Sequence, residues 1–152
     1  MESARIARLT VDDAAPLLAA VRSNVEHLSR WLDTPQRVAT LEDAVRELSS
    51  ATRFGCFIGD ELVASVKLTD CDSGVVEVGV WGVQGHEGHG HVRSTLLFVL
   101  NHLRGCAIRT VLYRHAPGNN RSESLIAGLR PRGYTVSCTH TPEETTWTLH
   151  LN

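Results

Sequence analysis

One segment constrains the fold of this chain more than any other: Glu77-Val78-Gly79-Val80-Trp81, a short linker, then Glu87-Gly88-His89-Gly90-His91-Val92 opening an apolar helix. Alternating apolar positions stop at a glycine-rich turn, and apolar positions then resume at helical spacing. This is a strand that hands the chain to a helix through a turn. The first turn of such a helix has N–H groups without intrahelical partners. Together with the helix dipole they favour an anion, commonly a phosphate. A carboxylate, Glu77, lies a few residues upstream. The pairing points to group transfer from a phosphate-bearing co-substrate with a base close by.

The remaining elements follow from the same patterns. Residues 6–11 read as a first strand. Asp12 or Asp13 caps a helix with apolar positions Leu17, Leu18, Val21, Val25 and Leu28. Pro35 marks a break, and Thr40 with Asp43 resembles a capping box ahead of a face formed by Leu41, Ala44, Val45 and Leu48. Residues 54–58, 62–68 and 75–81 form a meander with turns at 59–60 and 70–74. Val92, Leu96, Val99, Leu100 and Leu103 define the helix after the glycine turn. Residues 107–113 make a strand and 119–130 a helix ending near Pro131 and Gly133. Residues 134–138 and 145–151 form a closing hairpin.

Bulk properties agree with one domain over residues 1–152 and exclude some functions. The chain is 42% hydrophobic, enough for a single core. A net charge of −2 argues against a nucleic-acid surface. Cys56, Cys71, Cys106 and Cys138 are scattered without a CxxC, as expected of reduced thiols in a cytoplasmic protein. No apolar run approaches membrane-spanning length, and the start Met-Glu-Ser-Ala-Arg does not read as a signal peptide.

The order of elements, strand, two helices, three strands, helix, strand, helix, two strands, predicts a mixed α+β (α/β) domain. It is also the order in the GNAT acetyltransferase superfamily, and four motifs carry that resemblance. Asn24-Val25-Glu26-His27-Leu28-Ser29-Arg30-Trp31-Leu32 is similar to the helix-end motif of the branch that acetylates ribosomal-protein N-termini, at alanine or serine. Thr40-Leu41-Glu42-Asp43 resembles the start of that branch's second helix, and Glu77 to Trp81 its Glu-Ile-Gly-Tyr-Trp strand. Asn119-Asn120-Arg121-Ser122, ahead of Gly133-Tyr134, resembles its Asn-x-x-Ser helix start and closing Gly-Phe. The resemblance implies a central mixed sheet of about six to seven strands flanked by about four helices.

It also implies a reaction: transfer of an acetyl group from acetyl-CoA to a primary amine, without a metal. The acceptor is a peptide or protein N-terminus or a small-molecule amine, and a homodimer is admitted by analogy. An amine is mostly protonated at neutral pH, so a base is required. Glu77 is the candidate, because strand alternation puts it on the face of Gly79 and Trp81. The family reading has backbone groups of Val78, Gly79 and Val80 pairing with the pantetheine arm and polarising the thioester carbonyl. It has Ser122, or Ser124 in a shifted register, contacting the sulfur, with Asn119 or Asn120 orienting the same arm. Asn24, His27 and Trp31 are candidates for the acceptor pocket, with helix-end packing as the alternative for Trp31. Tyr113 has a polar tip of a length to reach the site, though nothing in the sequence requires it.

The glycine loop departs from the family's Gln/Arg-x-x-Gly-x-Gly/Ala. Counted from Trp81, Glu87 takes the Gln/Arg place, Gly90 the glycine and Val92 the small residue. A second frame uses Gly85, Gly88 and Gly90. A carboxylate at Glu87 opposes a pyrophosphate. His86, His89 and His91 compensate through hydrogen bonds or, when protonated, charge. The plainer readings are an ion-paired Glu77, a helix-capping Ser122 and a merely flexible turn. Two rival functions stand beside acetyl transfer. One is a degenerate GNAT domain that binds a ligand or partner without chemistry. The other is metal binding by the histidine cluster, although HExxH is absent.

Overall fold

The computed structural model describes residues 3–30, 32 and 34–151. Seven strands form one mixed sheet in the order β1-β2-β3-β4-β5-β7-β6. They are β1 (Ala4–Arg8), β2 (Thr52–Ile58), β3 (Glu61–Asp72), β4 (Val75–Gly82), β5 (Thr110–His115), β6 (Thr135–His140) and β7 (Thr145–His150). The described α-helices are α1 (Ala14–Arg22), α2 (Val25–Ser29), α3 (Thr34–Arg37), α4 (Leu41–Ser50), α5 (His91–Arg104) and α6 (Asn120–Ala127). The α/β class expected from the sequence is the class observed, with six helices rather than about four.

The extra helices have local causes. The long N-terminal stripe breaks after α1 because Asn24 turns its amide Nδ2 back onto the Ala20 carbonyl at 2.8 Å. Val25, expected on the buried face, is exposed as a result. Pro35 does not end a helix but sits in the first turn of α3, where its missing N–H costs nothing. The first cap is neither Asp12 nor Asp13 alone. Thr10 caps a 3₁₀ turn, Val11–Asp13, and Asp13 accepts from the Thr10 N–H at 2.8 Å. Several boundaries shift similarly. β3 runs on to Asp72, so the expected turn at 70–74 shrinks, and α6 ends at Ala127, before a 3₁₀ turn at Arg130–Arg132.

The chain divides into two compact units, Met1–Lys67 with Val80–Val99, and Leu68–Gly79 with Leu100–Asn152. In the first, β1 pairs antiparallel with β2, from Ala4↔Ile58 to Arg8↔Phe54. One side of this unit is filled by Leu9, Leu17, Val21, Leu28, Phe57, Leu62, Trp81 and Val83, with α1 packed against α4. A second cluster centres on Cys56, Val63 and Ala64, joined by Ile6, Ile58 and Val92. Because β2 and β3 are covered on both sides, Leu62, Val63, Ala64, Ser65 and Val66 are all buried and the expected alternation disappears.

Helix α4 begins with the expected capping box, Asp43 N–H donating to Thr40 Oγ1 at 3.1 Å and Thr40 N–H to Asp43 Oδ2 at 3.2 Å. Its buried face differs from expectation. Leu41 and Val45 are exposed, while Ala44, Glu47 and Leu48 face inward. The reason is a charge. Arg53 on β2 is only 2% exposed and donates through Nη2 to Glu47 Oε2 at 3.0 Å and through Nη1 to Ser65 Oγ at 2.8 Å. Lys67 Nζ reaches the same Glu47 oxygen at 3.0 Å. Burial pushes the Glu47 carboxyl up, but the hydrogen bonds and charges of Lys67 and Arg53 outweigh it and hold the carboxyl below its ordinary range.

In the second unit β4 pairs parallel with β5, from Val75↔Thr110 to Val78↔Tyr113. Strand β7 is antiparallel to both β5 and β6, which makes the expected closing hairpin. Val76, Val111, Ile126, Leu129 and Leu149 are among its buried side chains. No helix among the described residues is long and apolar enough to cross a membrane.

Removing the Glu47 charge strands Arg53 in the interior. Glu47→Gln is expected to destabilise the chain by about 3–5 kcal/mol, the usual cost of an uncompensated buried charge. Because the folded-state carboxyl titrates below its ordinary range, its contribution is complete above that range and is lost as the pH falls through the folded value. Urea unfolding from pH 7 to pH 3 should show this extra acid lability in the parent chain and its loss in Glu47→Gln.

Candidate active site

The loop after β4 is held by one side chain from the first helices. Asn24 is 2% exposed, and its Oδ1 accepts from the Gln84 N–H at 2.7 Å while Nδ2 donates to Ala20 O and Ser23 Oγ. Expected to line an acceptor pocket, Asn24 instead spends its amide on anchoring the loop to the end of α1. His27 is partly buried on α2, and Trp31 lies outside the described residues.

Within the loop, Gly88 and Gly90 have φ of 80° and 75°, left-handed values that side chains with a Cβ rarely adopt. The Gly90 carbonyl accepts from the Ser94 N–H at 2.9 Å, so Gly90 is where α5 begins. The first-turn N–H groups therefore follow Gly90. Val92, bulky where the family has a small residue, turns aside from the loop. A Cβ on Gly82 would lie 2.8 Å from its Cγ2. Arg93, exposed in that same first turn, is a cation at the positive end of a helix dipole. Its sequence signal is its position two residues after His91, at the start of the apolar helix.

Glu87 does not stand away from the loop. Its Oε2 accepts from the Gly85 N–H at 2.7 Å, so a carboxylate oxygen already rests on a loop N–H. His86 Nε2 meets Glu61 Oε2 at 2.7 Å. His89 stacks on His91 with 5.7 Å between ring centroids. Burial first, then the neighbouring His89 and His86, push the His91 imidazole below its ordinary value, which favours its neutral form. His86 also lies 6.2 Å from His91 between ring centroids, and no group of three or more potential ligands among the described residues is arranged to hold a metal ion.

In the second unit the structure brings together pairs of side chains across neighbouring elements. Glu77 is one-third exposed and ion-paired with Arg114. In the parallel register Glu77 lies opposite Leu112, so Arg114, two residues on, is its diagonal neighbour on the same face. Arg114 Nε is also 4.0 Å from Glu144 Oε1. The guanidinium thus competes with any incoming ammonium for the Glu77 carboxylate. Val78 is buried, Gly79 and Val80 are partly exposed, and the β4–β5 register ends at Val78.

Ser122 is buried and Ser124 exposed, one position either side of Glu123 on α6. Ser122 does not cap the helix. Asn119 does so, its Oδ1 accepting from the Ser122 N–H at 3.3 Å, while Asn120 is the exposed first residue of α6. The Ser122 hydroxyl instead meets the Tyr113 hydroxyl at 2.6 Å. Burial pushes the Tyr113 phenol up to about 12. Two residues further along β5, His115 is buried, and its tautomer follows from its partners. Trp147 Nε1–H donates to His115 Nε2 at 2.9 Å, so the ring proton sits on Nδ1, 2.8 Å from the Ala116 carbonyl. In the first unit, Trp81 Nε1 is a buried donor without a partner among the described residues.

Residues 4–129 match the acetyltransferase (GNAT) domain family. The chain belongs to that family, and its fold and the match together define it as an acyltransferase. The match runs through both compact units. No curated protein matches the chain in sequence. Among solved structures, it is similar to the ribosomal L7/L12 alpha-N-protein acetyltransferase RimL in complex with coenzyme A, with a TM-score of 0.81, 16% identity and 98% of this chain covering 94% of that one. It is similar to the ribosomal-protein-S5-alanine acetyltransferase of Vibrio fischeri, with a TM-score of 0.81, 16% identity and 100% of this chain covering 94% of the other. The PaiA N-acetyltransferase of Thermoplasma acidophilum, in complex with coenzyme A, aligns with a TM-score of 0.76, 12% identity and 98% of this chain on 99% of that one.

If Asn24 anchors the loop, Asn24→Ala leaves a loop N–H without its acceptor. It is expected to lower stability by about 1–3 kcal/mol and to open the loop to proteases. Urea melts together with timed limited proteolysis, with cleavage mapped to residues 83–90, check both parts.

Proposed function

We propose that this chain is an N-acetyltransferase that moves the acetyl group of acetyl-CoA onto a primary amine, with a peptide or protein N-terminus as the acceptor class. The observation that carries the reading is the start of α5: Gly90 opens the helix directly after a glycine loop, and Arg93 lies in its first turn. The donor set there suits a pyrophosphate. Loop and helix N–H groups bind its oxygens, with His89 and the Gly88 and Gly90 backbone as further contacts. That a loop N–H already donates to a carboxylate oxygen, that of Glu87, supports the same preference for an anion.

In the reaction, the amine nitrogen bonds to the thioester carbonyl carbon and the carbon–sulfur bond breaks, its electron pair leaving with the sulfur. Glu77, directly or through water, takes the proton that the amine loses, and the thiolate gains one to become the free thiol. Backbone groups of Val78, Gly79 and Val80 stabilise the carbonyl oxygen as charge develops. Ser122, rather than the exposed Ser124, contacts the sulfur. Asn119 and Asn120 hold the start of α6, and His91 and Val92 shape the turn that receives the phosphates. The peptide acceptor rests on the Asn24-to-Leu32 motif and on the ribosomal-protein acetyltransferases among the structural neighbours. On this reading the protein works in the cytoplasm.

Acetyl-CoA is expected to raise the melting temperature, because it binds the native state alone, and thiol release should appear with peptides bearing a free α-amine. No shift at millimolar acetyl-CoA would remove the reading. Glu77→Gln should lower kcat by about 100-fold or more; full activity across the pH range would take Glu77 out of the base role. Glu87→Gln removes a negative charge from the phosphate loop and should tighten coenzyme A binding by about threefold to tenfold, as read by isothermal titration.

A further inference from the structure

We propose that Tyr113 is a positioning residue for the transfer: its phenol donates to Ser122 Oγ and so fixes the serine hydroxyl with its own proton directed at the leaving sulfur. The inference rests on the acetyl-transfer reading above and adds a residue to it. Its basis is a proton count. The two hydroxyl oxygens are 2.6 Å apart, and only one proton lies between them. Tyr113 is 3% exposed, and among the described residues Ser122 Oγ is the hydrogen-bond partner of its hydroxyl.

Two arrangements are open to the pair. If Ser122 donated to Tyr113, the phenol proton would be left in the interior without an acceptor, at a cost of about 1–3 kcal/mol. If Tyr113 donates, its proton is satisfied and the Ser122 proton is freed to point away from the phenol. Burial keeps the phenol protonated throughout the working pH range, so the donor is always loaded. The serine is held at two points. Its backbone N–H is fixed by Asn119 Oδ1 at 3.3 Å and its side chain by Tyr113. A serine hydroxyl is otherwise a free rotor with three staggered settings, and a rotor locked before the reaction loses no entropy during it.

The chemical step stays balanced and needs no further reactant. As the carbon–sulfur bond breaks, its electron pair goes to sulfur, and the Ser122 O–H donates a hydrogen bond to the thiolate. The proton lost by the amine neutralises the sulfur by way of the base and water. Tyr113 keeps its proton throughout and touches neither substrate.

The test is a double-mutant cycle of Tyr113→Phe and Ser122→Ala, followed by kcat and the KM for acetyl-CoA. Tyr113→Phe should lower kcat by about fivefold, the size of one neutral hydrogen bond, with KM changed by less than about twofold. In the Ser122→Ala background the same change should have no effect on kcat. An undiminished kcat in Tyr113→Phe, or an equal loss with and without Ser122, would overturn the proposal while leaving the transferase reading intact. No thiol release by the parent chain with any amine would overturn both. Should Tyr113→Phe fail to fold, Tyr113 is the one remaining tyrosine in a Tyr134→Phe chain. It can there be replaced by 3-fluorotyrosine, a stronger donor of the same shape. A change in kcat seen only when Ser122 is present supports the proposal, and an identical kcat overturns it.

Discussion

The parallel pairing of β4 with β5 is the constraint on which the rest depends. Antiparallel neighbours can be joined by a tight turn, but parallel ones require the chain to cross back, usually through a helix. Here the crossover is the glycine loop and α5, spanning the interval between Gly82 and Thr110. The direction of the strand then places the helix N-terminus at the strand's carboxyl end, the usual location of ligand sites in parallel sheets. The anion-favouring turn at the start of α5 is a consequence of that one topological fact.

The same pairing organises the chemistry in the second unit. Because Glu77 faces Leu112 in register, Arg114 becomes its diagonal partner, and because Val78 faces Tyr113, the tyrosine lies level with the last paired residue of β4. Each ionisable or hydroxyl group there has a defined partner: Glu77 with Arg114, Tyr113 with Ser122, His115 with Trp147. Side chains with fixed partners have fixed proton positions. In the first unit the equivalent discipline is exerted by Asn24 on Gln84 and by Glu47 on Arg53.

Much of the fold was legible in the sequence because it rests on local physics. The Thr40–Asp43 box, the hairpin at Gly59-Asp60 and the helix after Gly90 are read from residues that touch near neighbours in the chain. The failures share a cause. Leu41 and Val45 obeyed helical spacing yet lie outside, while Glu47 faces inward to Arg53 on β2 and to Lys67, 20 residues on. Val25 was misplaced because Asn24 closes α1 by bonding backward to Ala20, while its Oδ1 accepts from Gln84, 60 residues on. The serine at the start of α6 looked like a cap, but a hydroxyl on another strand claimed it and left capping to Asn119.

The sequence by itself determined the class of the domain and the order of its elements, because periodicity, glycine placement and caps act over one or two turns of chain. Only the tertiary structure decided which residues act together. Glu87 resting on Gly85, Arg114 on Glu77 and Tyr113 on Ser122 are choices of partner. Strand register and helix rotation, which are settled by packing across the fold, determine most of those choices, and no short-range pattern encodes them.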